Sequence, residues 1–167
     1  QGPIDASLRA PAQEALESGK VLYFPHLTFE LEKSEEEFLC AGIADSRIKN
    51  ISLDPKTGKL QGTTLSGARA ERLAAMIDRF GRQATSLVCE LFPGYAGLER
   101  ARTSFRPVEI EGRAYSPIND DRLLHVDAFF SRPMRGRRIL RFFANVAPPS
   151  PDGEGARLWN VGEPFAD

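Results

Sequence analysis

The sequence is short of the residues on which small secreted folds and metal clusters are built. Only two cysteines occur in its 167 residues, Cys40 and Cys89, and no Cys-x-x-Cys is present. This excludes a disulfide-dense scaffold, a zinc ribbon and a thioredoxin-type redox motif. Both cysteines fall in segments that read as helical and apolar, so two buried thiols in a reducing compartment are expected. Histidine is equally scarce, with only His26 and His125. No apolar run approaches the ~20 residues that cross a bilayer, and no basic-then-apolar leader opens the chain. The expected setting is therefore the cytoplasm, or the periphery of a membrane. The formal net charge of −1 leaves no electrostatic footprint of a nucleic-acid binder, so no nucleic acid is expected as partner.

What is present suits a single domain, residues 1–167, with 41% hydrophobic and 27% charged residues. Residues 1–3, Gln1-Gly2-Pro3, read as a tag-cleavage scar. The segment 6–19 carries helix formers with Leu8, Ala12, Ala15 and Leu16 on one stripe, and Val21 to Phe24 reads as a short strand closed by Pro25. Ser34-Glu35-Glu36-Glu37 has the form of a capping box, predicting a helix that buries Phe38, Leu39 and Ile43. The stretch 50–60 reads as strand, Pro/Gly turn and returning strand. From Ser66 the apolar period becomes 3.6. Leu73, Met76, Ile77, Phe80, Ala84, Leu87, Val88 and Leu91 predict a long core helix ended by Pro93-Gly94.

Beyond Gly97 the pattern turns to β, with strands expected over 101–110, 123–130, 139–146 and 156–161. Helices first and strands afterwards imply an α+β fold with helices buttressing a mainly antiparallel sheet. Residues of about 4–97 form the helical and mixed part, and about 98–167 the first strands of the core. Four strands are half of a jelly roll.

His125-Val126-Asp127 lies in one of these β segments. Residues two apart on a strand share a face, so His125 and Asp127 can converge on one ion while Val126 packs the other way. Two histidines and a carboxylate make the facial triad of non-heme Fe(II) oxygenases; the alternative is an ordinary hydrogen-bonded pair. Just after it, Arg132, Arg135, Arg137, Arg138 and Arg141 form the densest basic cluster. Guanidinium groups fork onto carboxylates and phosphates, so these arginines read either as an anion-binding rim or as a solvated turn with ion pairs. Arg141 alternates with Phe143 and Asn145, which places the three on one face. If that face lines the barrel, Arg141 needs an anionic partner. Arg106 is a further candidate, for the cavity or for an ion pair. His26 reads as a surface or structural histidine.

The run His125 to Phe129, followed by Ser131-Arg132-Pro133, Gly136-Arg137-Arg138, Asn145-Val146 and Trp159-Asn160-Val161-Gly162-Glu163-Pro164-Phe165, resembles the bacterial Kdo hydroxylases. Phe24-Pro25-His26-Leu27, Lys49-Asn50-Ile51-Ser52 with Asp54-Pro55, and Asp120-Asp121-Arg122-Leu123 belong to the same resemblance, which covers nearly the whole chain. It implies a double-stranded β-helix (jelly-roll, cupin-like) core with flanking N-terminal helices. It also implies an Fe(II)- and 2-oxoglutarate-dependent dioxygenase acting on 3-deoxy-D-manno-oct-2-ulosonic acid (Kdo) of the lipopolysaccharide inner core.

On this resemblance His125 and Asp127 hold iron; beside it, the residues themselves make Arg141 and Asn145 candidates for the 2-oxoglutarate or substrate pocket, and Arg106, Arg132, Arg137 and Arg138 candidates to meet the substrate, Kdo-lipid A. O2 is the co-reactant, and the location is cytoplasmic or peripheral at the inner membrane. No histidine follows Asp127 to act as distal ligand, so the chain is expected to be C-terminally shortened and inactive as it stands. The alternative is a non-catalytic cupin-like module that binds an anionic glycan or lipid head group. Mn or Zn would fit the same two ligands.

Overall fold

A computed structural model describes residues 4–45, 48, 50–95, 97–107 and 133–147. A 3-10 turn at Ala6–Leu8, capped by the Asp5 carboxylate on the Ser7 amide, leads into α1, Arg9–Glu17. Two further 3-10 turns, Lys33–Phe38 and Ala41–Ile43, precede β1 (Ile51–Leu53) and β2 (Leu60–Gln61). The long α2, Gly67–Leu91, follows, and then β3, Thr103–Phe105. The three strands form one antiparallel sheet in the order β2-β1-β3. Helices and an antiparallel sheet make the α+β class plain. β3, which follows the helical part, closes the sheet that β1 begins.

The expected helix and hairpin are where the patterns placed them. Between β1 and β2 the Asp54 carboxylate accepts the amides of Lys56 (2.9 Å) and Thr57 (3.2 Å), and the Gly58 amide returns to the Asp54 carbonyl. Asp side chains that bond the backbone two residues on are natural turn builders. α2 buries Leu73, Met76 and Ile77 against Phe38, Ile43, Ile51, Leu53 and Phe105. Each such side chain contributes about 1.5–3 kcal/mol on burial. Its later turns, Val88 and Leu91 with Phe92, hold α1 and the segment carrying Leu140 and Phe142. Gly81, buried on α2, allows β3 to lie close: a Cβ there would stand 2.6 Å from Thr103 Oγ1 and 3.2 Å from the Arg100 guanidinium carbon.

Four expectations are corrected. Val21 to Phe24 forms no strand; Val21, Tyr23 and Phe24 are exposed and only Leu22 turns into a cluster. The helix expected after Ser34 is a 3-10 turn, and its capping box is built by Glu32 and Glu35, with the Glu32 amide donating to Glu35 Oε2 at 2.8 Å. Glu35 is thereby turned inward to Arg79, while Glu37 pairs outward with Arg69 and Arg72. Cys40 and Cys89 are both exposed rather than buried. Finally, Ile139 to Val146 has no strand assignment, although its burial alternates: Leu140, Phe142, Ala144 and Val146 are half-buried and the alternate residues exposed. The strands expected at 123–130 and 156–161 lie outside the described residues.

Candidate active site

β3 brings the first site residues together. Successive strand residues point to opposite faces, so Phe105 enters the core while Arg102, Ser104 and Arg106 share the other side. Arg106 is partly buried and its Nε donates to Asn50 Oδ1 at 2.8 Å. In the antiparallel register Ile51 faces Phe105, Ser52 faces Ser104 and Leu53 faces Thr103. Asn50 therefore stands opposite Arg106, and Asp54 opposite Arg102. The Ser52 and Ser104 hydroxyls meet at 2.9 Å, and Arg102 Nε lies 3.6 Å from Asp54 Oδ2. The Asp54 carboxyl is held below the usual carboxylate range by the Lys56 and Thr57 amides, with Arg102 adding to the effect.

The basic turn is engaged with carboxylates. Arg137 Nη1 donates to Glu99 Oε2 at 2.8 Å, and Lys56 pairs with the other oxygen of Glu99. These cations lower the Glu99 pKa, Lys56 most strongly, and Glu99 raises that of Lys56. Arg138 pairs with Glu17, which also accepts the Tyr95 hydroxyl. The Glu17 pKa is lowered, first by Tyr95 and then by Arg138, while Tyr95 and Arg138 are raised. Arg135 takes a left-handed backbone, φ 51°, beside Gly136. All these arginines are exposed, so solvent screens their pairs with Glu99 and Glu17.

Arg141, Phe143 and Asn145 do share one face, and that face is the exposed one. Asn145 Oδ1 accepts the Ala147 amide at 3.1 Å. Opposite it, Phe142 packs at 6.0 Å from Phe80. His125, Asp127 and Arg132 lie outside the described residues. Among the described residues no group of three His, Cys, Asp or Glu could hold a metal ion, and no helix is long and apolar enough to cross a membrane. His26 is exposed at a turn, as expected. Reading the sequence missed the Ser52–Ser104 pair and the part played by Arg102. Period-two polarity at Asn50, Ser52 and Asp54 was the available signal.

The family model for 3-deoxy-D-manno-oct-2-ulosonic acid (Kdo) hydroxylase matches residues 3–167. The chain belongs to the Kdo hydroxylase family. Solved structures of a Kdo hydroxylase, KdoO, described as a non-heme Fe(II) alphaketoglutarate-dependent dioxygenase, are similar to it. The apo form and a cobalt(II) complex each superpose with TM-score 0.72 at 41% identity, over 77% of this chain and 43% of theirs. A complex with alphaketoglutarate and Fe(III) gives TM-score 0.70 at 40% identity, over 77% and 42%. The chain thus spans less than half the length of the Kdo hydroxylase structures it matches. Among curated proteins no relative matches.

Proposed function

We propose that this chain carries the N-terminal part of the active site of an Fe(II)- and 2-oxoglutarate-dependent dioxygenase that hydroxylates Kdo in the lipopolysaccharide inner core, giving succinate and CO2. The observation that carries this reading is the match over residues 3–167, a span that includes His125 and Asp127. It is supported by the solved relatives with cobalt(II), and with alphaketoglutarate and Fe(III). The core proposed is a double-stranded β-helix in which the β1–β3 sheet and the segment 139–146 take part.

The donors fit the ions. An imidazole and a carboxylate leave a divalent iron partly neutralised and open to oxygen ligands, so His125 and Asp127 would hold Fe(II). Iron and 2-oxoglutarate would together supply O2 activation, chemistry that side chains lack. The protein binds, orients and excludes water. Arg106, whose Nε is held by Asn50 Oδ1, is proposed among the substrate contacts. Arg141 and Asn145 lie on one face of their segment as the proposed 2-oxoglutarate contacts. Arg132, Arg137 and Arg138 form the proposed rim for the anionic groups of Kdo-lipid A, the last two by leaving Glu99 and Glu17. A lipid-anchored substrate would bring the enzyme to the cytoplasmic surface of the inner membrane.

The test is an anaerobic titration of the full-length protein with Fe(II) and 2-oxoglutarate. A visible charge-transfer band that His125→Ala removes is expected. A band unchanged in that variant would contradict the assignment of His125.

A further inference from the structure

On the side of the three-stranded sheet turned away from α2, the side chains form a cross-strand ladder with no apolar member. Ser52 faces both Gln61 and Ser104 in the register, so amide, hydroxyl and hydroxyl line up across all three strands. Above and below this row stand Asn50 with Arg106 at 2.8 Å and Asp54 with Arg102 at 3.6 Å. Arg102 Nη1 also reaches Gln61 Oε1 at 3.3 Å. Strand stability does not call for Ser52, Gln61 and Ser104 at these paired positions, since β-branched and aromatic residues are the ones favoured in strands. Amides and hydroxyls both donate and accept hydrogen bonds, and sugar hydroxyls do the same.

The ladder lies along an open groove of about 550 Å³ lined by Ile48, Asn50, Ser52, Gln61, Gly62 and Arg102. This is within the range of small-molecule sites, about 300–1,000 Å³. Gly62 keeps the floor low: it has φ +81°, and a Cβ there would stand 2.3 Å from the Asn50 carbonyl oxygen. At the Arg102 end the groove carries a guanidinium with half of its side chain exposed, 3.6 Å from its carboxylate.

We propose that this sheet face is the sugar-acid subsite, in which Gln61, Ser52 and Ser104 hydrogen-bond sugar hydroxyls and Arg102 meets an anionic group of the same ligand. The inference rests on the Kdo hydroxylase reading and specifies where that reading places the acceptor. Its ligand class is a polyhydroxylated sugar carrying a carboxylate.

The experiment is a calorimetric titration of the full-length protein and of its Gln61→Ala and Arg102→Ala variants with free Kdo, with mannose as neutral control. KM for the Kdo acceptor and for 2-oxoglutarate is measured alongside. Each variant should weaken Kdo binding about tenfold, the effect of one hydrogen bond to a charged or polar group. KM for the acceptor should rise to match, with KM for 2-oxoglutarate unchanged. Mannose should bind more weakly than Kdo to the wild type and should not respond to Arg102→Ala. Variants that bind Kdo as the wild type does, in a protein that forms succinate with Kdo, overturn the subsite and leave the dioxygenase reading standing. Kdo binding that is lost in the variants, in a protein that forms no succinate, supports the subsite and overturns the reaction.

Discussion

Replacing Arg79 by alanine should destabilise the fold well beyond what an ion pair on the surface is worth. Glu35 is 6% exposed and receives the Glu32 amide and Arg79 Nη2. Arg79 Nη1 also donates to the Glu30 carbonyl at 2.9 Å, and its guanidinium stands 4.6 Å over the Phe29 ring. Removing one partner of a buried pair costs about 3–5 kcal/mol, because the other charge stays buried without compensation. A quarter of the Arg79 side chain remains exposed, which places Arg79→Ala at the low end, about 3 kcal/mol. For a protein of this size that is about 6–12 °C in Tm. Glu35→Ala should cost less, about 2 kcal/mol, since the orphaned guanidinium can reach water. The double variant should then cost about as much as Arg79→Ala alone, a coupling of about 2 kcal/mol. Urea unfolding of the four proteins measures this cycle. Costs that simply add, within about 0.5 kcal/mol, would refute the view that the pair ties the Lys33–Phe38 turn to α2.

Further outcomes are expected from single sites. Gly81→Ala should lower the urea midpoint although alanine is the better helix former, because its Cβ meets Thr103 Oγ1; a midpoint that rises would show that β3 can move away. The Asp78 carboxyl is lowered by the Arg100 hydrogen bond and then by the charges of Arg100 and Arg82, and Glu37 is lowered by Arg72 and Arg69. A folded-state pKa below the unfolded one gives stability that is present above the unfolded pKa and lost as pH falls through the folded one. The urea midpoint should therefore hold from pH 7 to 5 and fall below about pH 4, less steeply in Asp78→Asn; equal slopes would count against the pairing. Leu73→Ala, at a side chain that is 0% exposed, should cost about 2–5 kcal/mol, read as a lower thermal midpoint.

Where one period dominates, the chain was legible in advance. The stripe from Leu73 to Leu91 fixed α2 within a residue at its start, and Pro55 and Gly58 marked the β1–β2 turn. Cys89 shows the limit of that reasoning. It follows the buried Val88, yet one residue is 100° around a helix, so an apolar neighbourhood in sequence put it on the wrong side. The Val21–Phe24 segment shows another, because β propensity needs a neighbouring strand to become a ladder. At the site, Arg106 was visible as a candidate, whereas its partner Asn50 and the Ser52–Ser104 pair depend on register between strands distant in sequence. Such pairing is set by tertiary packing and leaves only a polar alternation behind.

The central claim is that a protein carrying this chain hydroxylates Kdo through His125 and Asp127. Its most direct test is mass spectrometry of Kdo-lipid A incubated with the full-length protein, Fe(II), 2-oxoglutarate and O2, beside the Asp127→Ala variant. The account predicts a product one oxygen heavier on the Kdo sugar, formed in step with succinate and lost in the variant. Kdo-lipid A left unmodified by the wild type, or modified equally by Asp127→Ala, would contradict it.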